Sequence, residues 1–400
     1  MFEIKGKYAT AKCFATVVEE SAIEQVRTMC DTPFVEGCRV RIMPDVHAGM
    51  GCTIGTTMTI NGKAVPNVVG VDIGCGMYTT SLGFDDIDLP KLDEACHQVP
   101  SGFDVWDGRR VRFDLTRLAC HRELRDTRRI ERSIGTLGGG NHFIEVDRSD
   151  DGANYLVIHS GSRNLGTQVA RYYQQLAIDL RKGKGDYYRQ RDEIIARYKT
   201  EGRRSEIQGA LNRLKWQERA LDVPSDLCWL EGQQLEDYLH DVAICQEYAR
   251  LNRETMAQVI VGLAGLDAGE AFHTVHNYID TDEMILRKGA IAAHEGELVL
   301  IPLNMRDGSV LARGRGNEDW NFSAPHGAGR TMSRTAARET LSLDEYREQM
   351  SGIYTTCVCE STIDEAPGAY KSREDIIGPI AEAVDIVDEL RPIYNFKATG

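Results

Sequence analysis

GVDIGCGM (residues 70–77) is one of six short segments that carry a metal-binding or nucleophilic side chain, in most cases between glycines. The other five are MPDVHAGMG (43–51), GNHFIE (140–145), HSGSRNLG (159–166), HNYI (276–279) and PHGAGR (325–330). Glycine lets backbone approach a bound ion or phosphate closely, and Cys, His and Asp hold borderline metals such as zinc or manganese. Because six segments spread over nearly 300 residues cannot form one local finger, we predict loops that converge on a single site.

The residues around these segments predict a mixed fold. From 38 to 80, and again from 272 to 330, short apolar runs are broken by Gly and Pro, which is typical of strands and loops. The site segments come from both halves of the chain, and no change of composition marks a border. We therefore predict one interwoven α+β domain over residues 1–400.

Helices are predicted over 17–30, where a Ser-x-x-Glu pattern suggests a capping box, from Thr167 onward, and over 235–261, where apolar residues recur at helical spacing. Two capped helices, near Ser342 and from Ser372, are predicted to close the chain.

A charged helical insertion is predicted within the domain. Residues 181–222 carry twelve Lys/Arg and seven Asp/Glu. This insertion is either an RNA-contacting hairpin or, by default, a solvated helical face.

Composition restricts the class of protein. The net charge of −14 argues by itself against a nucleic-acid binder. Residues 287–338, however, carry eight Lys/Arg and five Asp/Glu, so a local basic face is compatible with RNA. The 11 cysteines show no regular spacing, the first residues show no apolar secretory segment, and no run approaches 18 apolar residues. We predict a cytoplasmic protein with reduced thiols and no membrane span.

Four segments offer metal ligands, and each also has a structural interpretation. Asp72 and Cys75 are three residues apart, so a carboxylate and a thiolate could share a cation, or the segment could be a tight turn with a buried cysteine. His142, His159 and His276 each border a predicted strand, and single histidines in such positions are often structural. Their joint occurrence in similar contexts favours the metal site.

PHGAGR carries different chemistry. Its backbone N–H groups and Arg330 suit a phosphate or an oxyanion, with Arg334 following on. His326 could be a ligand, a general acid or base, or a nucleophile toward phosphorus, and the alternative is a simple turn that starts a helix. The chain lacks the phosphate-loop pattern GxxxxGK[ST], the ligase lysine motif KxDG and the zinc motif HExxH.

Together, MPDVHAGMG, VGVDIGCGM, GTLGGGNHFIE, HSGSR, RKGA, RGRGNE and HGAGRTMSR resemble, in order and spacing, the signature segments of the RtcB family of RNA ligases. The resemblance extends from about residue 40 to the C-terminus. It implies a single α+β domain with sheets lining a deep cleft and helices outside. It also implies joining of an RNA 3′-phosphate or 2′,3′-cyclic phosphate to a 5′-hydroxyl, with GTP and Mn²⁺, and in many members an archease-type activator.

The resemblance assigns site residues. Asp72 and His142 would hold one Mn²⁺, His159 and His276 the other, and Cys75 would bridge them. His326 would accept GMP from GTP. The nucleotide site would contain Asn141, Glu145, Asn277, Pro302, Leu303, Asn304, Met305, Ser309, His326, Gly327, Ala328, Gly329, Tyr370 and Lys397. Chemistry and position make Arg163, Arg330 and Arg334 candidates for RNA phosphates.

One departure keeps two alternatives open. The family loop is commonly Gly-Ser-Met where this chain has Leu303-Asn304-Met305, which puts side-chain contact with phosphate in question. A dinuclear metal phosphoesterase would use the same metals without a covalent nucleotide. A non-ligating paralogue would bind nucleotide or RNA ends without turnover.

Overall fold

The computed structural model describes residues 1–214 and 218–398, and its sheets account for the strand-rich regions of the sequence. The strands are β1 (Phe2–Lys5), β2 (Thr10–Cys13), β3 (Val40–His47), β4 (Ile54–Thr59), β5 (Lys63–Ala64), β6 (Gly76–Gly83), β7 (Phe143–Arg148), β8 (Asn154–Ser160), β9 (Leu230–Glu231), β10 (Ala271–Val275), β11 (Asn277–Asp280), β12 (Ile285–Lys288), β13 (Ala290–Ala292), β14 (Leu298–Asn304), β15 (Gly308–Gly314), β16 (Ser323–Pro325) and β17 (Val384–Lys397).

The helices lie mostly between the sheet-forming segments. They are α1 (Glu20–Cys30), α2 (Pro66–Val69), α3 (Leu89–His97), α4 (Thr127–Arg132), α5 (Arg163–Arg181), α6 (Lys184–Thr200), α7 (Ile207–Arg213), α8 (Gly232–Ala264), α9 (Arg334–Thr340), α10 (Leu343–Gln349) and α11 (Arg373–Ile380). The mixture of helix and sheet confirms the predicted α+β class. No helix in the described ranges is both long and apolar enough to cross a membrane.

Two large sheets frame the molecule. One has the strand order β1-β2-β3-β4-β12-β11, and the other has the order β10-β6-β8-β7-β17-β15-β14. Most neighbours are antiparallel, while β2 and β3 are parallel. β10 and β11 follow each other in the chain but belong to different sheets, so the residue between them, His276, lies where the two sheets meet.

The long helix α8 supports both the core and the site. Its Tyr238, Val242 and Tyr248 are fully buried in the cluster that also contains β3, α2 and α5. Apolar residues of α8 near its C-terminus, such as Met256, join a second cluster under β7 and β8. Buried residues of α8 recur at helical spacing, as at Leu235, Val242, Ala249 and Met256, and this recurrence is the period that the sequence showed.

Some local predictions were wrong. α1 begins at Glu20 with Glu19 as N-cap and no side-chain cap, so the Ser-x-x-Glu pattern lies inside the helix. α5 begins at Arg163, four residues before the predicted start. The chain closes on the strand β17 rather than on a helix, although the capping serines Ser342 and Ser372 are confirmed.

The charged stretch 181–222 is largely helical, as predicted. It holds the end of α5, then α6 and α7, and only Tyr198 and Ala210 are buried in the latter two helices. Residues 215–217 of this stretch lie outside the described residues. Its status as an insertion stays a prediction.

Candidate metal and nucleotide site

The predicted metal ligands lie at neighbouring strand ends. Cys75 immediately precedes β6, His142 immediately precedes β7, and His159 is the next-to-last residue of β8. Pairing of β6, β7 and β8 places His159 opposite Met77 on one side and Phe143 on the other. The sheet register therefore brings three segments together that are far apart in the chain.

The ligand atoms converge. The Cys75 Sγ lies 3.5 Å from His142 Nε2 and 3.3 Å from His159 Nε2. The His159 and His276 Nε2 atoms are 3.3 Å apart, and His142 Nε2 is 3.1 Å from an Asp72 carboxylate oxygen. Two ligand groups result, Asp72-Cys75-His142 and Cys75-His159-His276, and the cysteine belongs to both.

The second ring nitrogens fix the proton positions of two histidines. His142 Nδ1 donates to the Leu137 carbonyl at 2.8 Å, and His159 Nδ1 donates to the Asn141 carbonyl at 3.2 Å. Their Nε2 lone pairs therefore point at the thiol and the carboxylate, and backbone carbonyls hold ligating histidines in this way in many metal sites. A cluster in which sulfur, carboxylate oxygen and imidazole nitrogen atoms converge fits divalent cations.

Burial shapes the protonation of this cluster. Burial and the neighbouring histidines lower the pKa of His159 well below its ordinary value, which keeps the ring neutral and able to ligate. Burial and the Asp72 carboxylate raise the pKa of the Cys75 thiol well above its ordinary value. A bound cation would reverse that shift, because a coordinating thiol is deprotonated.

Two buried residues of α8 donate hydrogen bonds to the loops that carry the candidate ligands, and no sequence motif pointed to them. Arg253 donates to the Gly74 carbonyl at 2.7 Å and to the Ser160 carbonyl at 2.8 Å. Asn252 donates to the Gly161 carbonyl at 3.0 Å. The Arg253 charge also lies close enough to favour an ionised Cys75.

His326 lies on the other side of His276, and its partner is a buried carboxylate. The two imidazole centroids are 4.9 Å apart. His326 Nδ1 donates to Asp45 Oδ2 at 2.6 Å, and the His326 backbone N–H donates to the same oxygen at 3.1 Å. Asp45 is fully buried near the C-terminal end of β3, and its contact orients the imidazole with Nδ1 toward the carboxylate. Such an arrangement can orient a histidine for general acid–base or nucleophilic chemistry.

Asp45 was quoted within MPDVHAGMG but was not singled out as a site residue. His47, two residues further along the strand, lines the same cavity, and its Nδ1 donates to the Asp45 carbonyl at 2.9 Å. The alternation of a β-strand is the signal that could have paired these two residues.

A cavity of about 560 Å³ opens in front of His326. It is lined by most of the nucleotide and RNA candidates: Asn141, Glu145, His159, Asn277, Pro302, Leu303, Asn304, Met305, His326, Gly327, Ala328, Gly329, Arg330, Arg334, Tyr370 and Lys397. Asp72, Cys75, His142, His276, Arg163 and Ser309 are not among its lining residues. This volume is in the range of small-molecule sites.

Glu365 ties together one wall of the cavity and was missed by the sequence analysis. One of its oxygens accepts from Lys397 Nζ at 2.6 Å and from the Tyr370 hydroxyl at 2.7 Å. The other contacts Arg334 at 2.5 Å and Arg330 at 3.3 Å. Burial opposes ionisation, but the charges of Lys397 and Arg334 lower the pKa of Glu365 to about 2.

A second buried carboxylate forms the floor. Glu145 accepts from the Asn395 amide, and burial raises the pKa of Glu145 to about 7. Behind it, burial and Glu145 together raise the pKa of Asp147 well above its ordinary value.

The loop that departs from the family uses its side chains internally. Leu303 is buried in the core, and the Asn304 side chain accepts from the backbone N–H groups of Arg306 and Asp307. The Pro302 carbonyl accepts from the Ala328 N–H at 3.1 Å. The loop therefore contributes shape and backbone to the cavity.

The three arginine candidates already have protein partners. Arg163, which has a φ of 56°, donates to the Gly102 carbonyl at 2.8 Å. Arg330 donates to the Asp364 carbonyl at 2.7 Å, and Arg334 pairs with the Asp364 carboxylate at 2.6 Å. Arg330 and Arg334 still line the cavity, so both can face a ligand there.

Comparison with known proteins identifies the family of the chain. A family model described as tRNA-splicing ligase RtcB matches residues 25–123 and 117–398. The chain belongs to the RtcB family. The RNA-splicing ligase RtcB of Escherichia coli K12 is 30% identical over 425 aligned residues, covering 95% of each chain.

Archaeal RtcB proteins are also similar. The tRNA-splicing ligase RtcB of Aeropyrum pernix is 27% identical over 433 residues, covering 88% of this chain and 86% of its own. The tRNA-splicing ligase RtcB of Thermococcus kodakarensis is 26% identical over 474 residues, covering 96% and 93%. The family resemblance drawn from the motifs is confirmed.

Proposed function

We propose that this chain is an RNA ligase that joins a 3′-phosphate or 2′,3′-cyclic phosphate end to a 5′-hydroxyl end, as in tRNA splicing or RNA repair. Its proposed cofactors are GTP and two Mn²⁺ ions. One observation carries the proposal. Two groups of candidate metal ligands have Cys75 in common, and they lie beside His326, whose imidazole is oriented by Asp45. The names of the relatives point to the same class of reaction.

Asp72, Cys75, His142, His159 and His276 would hold the metal ions. When bound, divalent cations would neutralise phosphate charge and polarise the reacting P–O bonds. The ligand set of carboxylate, thiolate and imidazoles also suits zinc, so manganese follows from the family rather than from the donors.

The first chemical step is assigned to His326. Its Nε2 would attack the α-phosphorus of GTP, forming a P–N bond while the bond to the β-phosphate oxygen breaks and pyrophosphate leaves. The Asp45 carboxylate would stabilise the positive charge that develops on the ring, because it already accepts the Nδ1 proton.

Two transfers would follow. An oxygen of the RNA 3′-phosphate attacks the GMP phosphorus and breaks its bond to His326, giving an RNA end that carries GMP through a diphosphate. The 5′-hydroxyl then attacks the RNA-side phosphorus, its proton is released, and GMP leaves. A cyclic phosphate would first be opened by water. Arg330 and Arg334 at the cavity wall would offer cationic contacts to the phosphates.

The proposal also includes a cellular setting and a partner protein. All eleven cysteines are free thiols, which fits a reducing, cytoplasmic setting. An archease-type activator is proposed as a partner because many family members need one.

The deciding experiment is covalent labelling with [α-³²P]GTP, with Mn²⁺, with Mg²⁺ and without added metal. We expect acid-labile, alkali-stable label on the wild type and none on His326→Ala. His240→Ala is the matched control, because His240 is exposed on α8 and bonds only the Arg117 carbonyl.

A ligation assay with 3′-phosphate and 5′-hydroxyl RNA completes the test. Unlabelled wild type, or a labelled His326→Ala protein, would refute the covalent mechanism. Phosphate release without label would favour the phosphoesterase, and GTP binding without label would favour the non-ligating paralogue.

A further inference from the structure

An arginine-rich segment stands apart from the acidic remainder of the chain. Residues 101–132 carry nine arginines and six carboxylates, in a protein with a net charge of −14. Salt largely screens the interaction between exposed charges that lie more than about 10 Å apart. A polyanion is therefore attracted to an acidic protein only where positive charge is in local excess.

Two parts of this region form one surface. The loop 101–112 lies against α4. The backbone N–H of Trp106 donates to the Arg132 carbonyl at 3.2 Å, and the Arg129 side chain donates to the Phe103 carbonyl. The Arg110 guanidinium stacks on the Trp106 ring at 3.9 Å. The arginines of the loop and of α4 are thereby held side by side.

Much of the charge on this surface is available. Arg109, Arg110 and Arg112 are exposed and, with Val111, line a depression of about 370 Å³. Arg109 makes one exposed ion pair with Glu131 at 3.3 Å, and pairs of this kind contribute little. Within residues 1–214 and 218–398, Arg110 and Arg112 make no ion pair shorter than 4 Å.

An exposed aromatic ring lies beside the arginines. Phe103 is 92% exposed, the highest value among the large apolar residues of the described chain. Single-stranded nucleic acid is bound by this combination, in which cationic side chains follow the backbone and aromatic rings stack on bases. The ring adds sequence-tolerant stacking on bases to the phosphate contacts of the arginines, which favours a single-stranded nucleic acid over an acidic protein segment that would be held chiefly by charge.

The surface is joined directly to the metal ligands. The Gly102 N–H donates to the Gly138 carbonyl at 2.7 Å, and Arg163 donates to the Gly102 carbonyl at 2.8 Å. Gly138 is four residues before His142 in the GGGNH loop. Phe103 therefore adjoins a glycine that is hydrogen-bonded to the loop carrying His142 and to Arg163, the first residue of α5.

We propose that Phe103, Arg109, Arg110 and Arg112 form a binding surface for a single-stranded arm of the RNA substrate. This inference rests on the proposed function for the identity of the RNA end. The charged stretch 181–222, predicted by default as a solvated helical face and alternatively as an RNA-contacting hairpin, is the contrasting surface for the test.

The test compares three variants with wild type. They are Arg109→Ala/Arg110→Ala/Arg112→Ala, Phe103→Ala, and the control Arg189→Ala/Arg197→Ala/Arg204→Ala, which removes three exposed arginines from the 181–222 stretch. The probe is a fluorescein-labelled 20-nucleotide RNA with a 3′-phosphate, and the readout is the dissociation constant from anisotropy at several salt concentrations.

We expect the first triple variant to bind this RNA roughly 10- to 100-fold more weakly at 0.1 M salt, with a salt slope lower by about 2, since each phosphate contact contributes about 0.7. Phe103→Ala should weaken binding about tenfold and leave the salt slope unchanged. The control triple should stay within about twofold of wild type.

Labelling of His326 by GTP in the same preparations needs no RNA and reports that the fold is intact. If wild type takes no label but the binding pattern holds, the ligase mechanism fails while the RNA surface stands. Binding by the first triple variant within twofold of wild type overturns the surface, as does an equal loss in the control. Loss in the triple variant without loss in Phe103→Ala overturns the RNA assignment in favour of an acidic protein partner.

Discussion

Replacing Asp45 by Asn tests how the proposed nucleophile is held. Asp45 is fully buried, and its Oδ2 accepts from both the Nδ1 and the backbone N–H of His326. If the new amide turns its NH₂ toward the ring, Nδ1 must become an acceptor and the proton moves to Nε2, which removes the attacking lone pair. If it turns its oxygen toward the ring, the charge is lost and an NH₂ is buried where Asp45 Oδ1 now lacks a partner.

The magnitude follows from the charge that is removed. Unit charges 4 Å apart attract by about 4 kcal/mol at an effective dielectric of about 20. The contact between Asp45 and His326 is 2.6 Å, so the full value applies when the ring becomes cationic during attack. Since each 1.36 kcal/mol is tenfold in rate, Asp45→Asn should slow formation of the His326 adduct roughly 1,000-fold.

The assay is single-turnover labelling by [α-³²P]GTP at saturating nucleotide. Bound metal, measured by mass spectrometry, should be unchanged, because Asp45 touches none of the five proposed ligands. Asp344→Asn, at a side chain that is 92% exposed, is the matched control and should label like wild type. Labelling of Asp45→Asn within threefold of wild type would refute the role given to this carboxylate.

Three other variants probe the supports of the site. Glu365→Gln should lower the free energy of unfolding by about 3 kcal/mol at pH 7, because the pKa of Glu365 falls from 4.5 to about 2 on folding. In urea unfolding, the difference in free energy of unfolding between wild type and Glu365→Gln should be constant above pH 5. It should shrink between pH 4.5 and 2, where the wild type loses this stability. A difference that grows at low pH would contradict the assignment. Cys75→Ala should remove both metal ions, whereas His276→Ala should remove one, because only the cysteine belongs to both ligand groups; equal metal loss, measured by mass spectrometry, would argue against a bridging thiolate. Gly138→Ala should cost roughly 2 kcal/mol of unfolding free energy, because its Cβ would lie 1.9 Å from a guanidinium nitrogen at a φ of +86°. Gly140→Ala has open space at a φ of +74° and is the control for backbone strain alone.

Local patterns predicted the elements whose stability is local. The 33-residue helix α8 and the caps at Ser342 and Ser372 were readable because burial periodicity and capping bonds are set within a few residues. The start of α5 was missed because Arg163 takes a left-handed backbone that its tertiary contacts hold in place. β17 was missed because its partners, β7 and β15, lie far away in the chain.

The residues of the candidate site also fall into those that local motifs predicted and those that only tertiary contacts identify. The five candidate metal ligands and His326 could be named because metal-binding side chains in glycine-rich motifs are few, and the geometry brings all six together. Glu365 and Arg253 could not, because a carboxylate or a guanidinium gives no signal until its partners are known. Asp45 lies within a quoted motif, but its partner His326 is 281 residues away in the chain.

By itself the sequence determined the family, the mixed fold and the chemical types of the reacting groups, since side-chain chemistry and short-range spacing are written in the order of residues. The tertiary structure alone decided which candidate ligand atoms converge, which nitrogen of His326 contacts Asp45, and which carboxylates lie buried beside which charges. Those properties depend on distances between residues as far apart as 45 and 326, and sheet register and helix packing fix such distances.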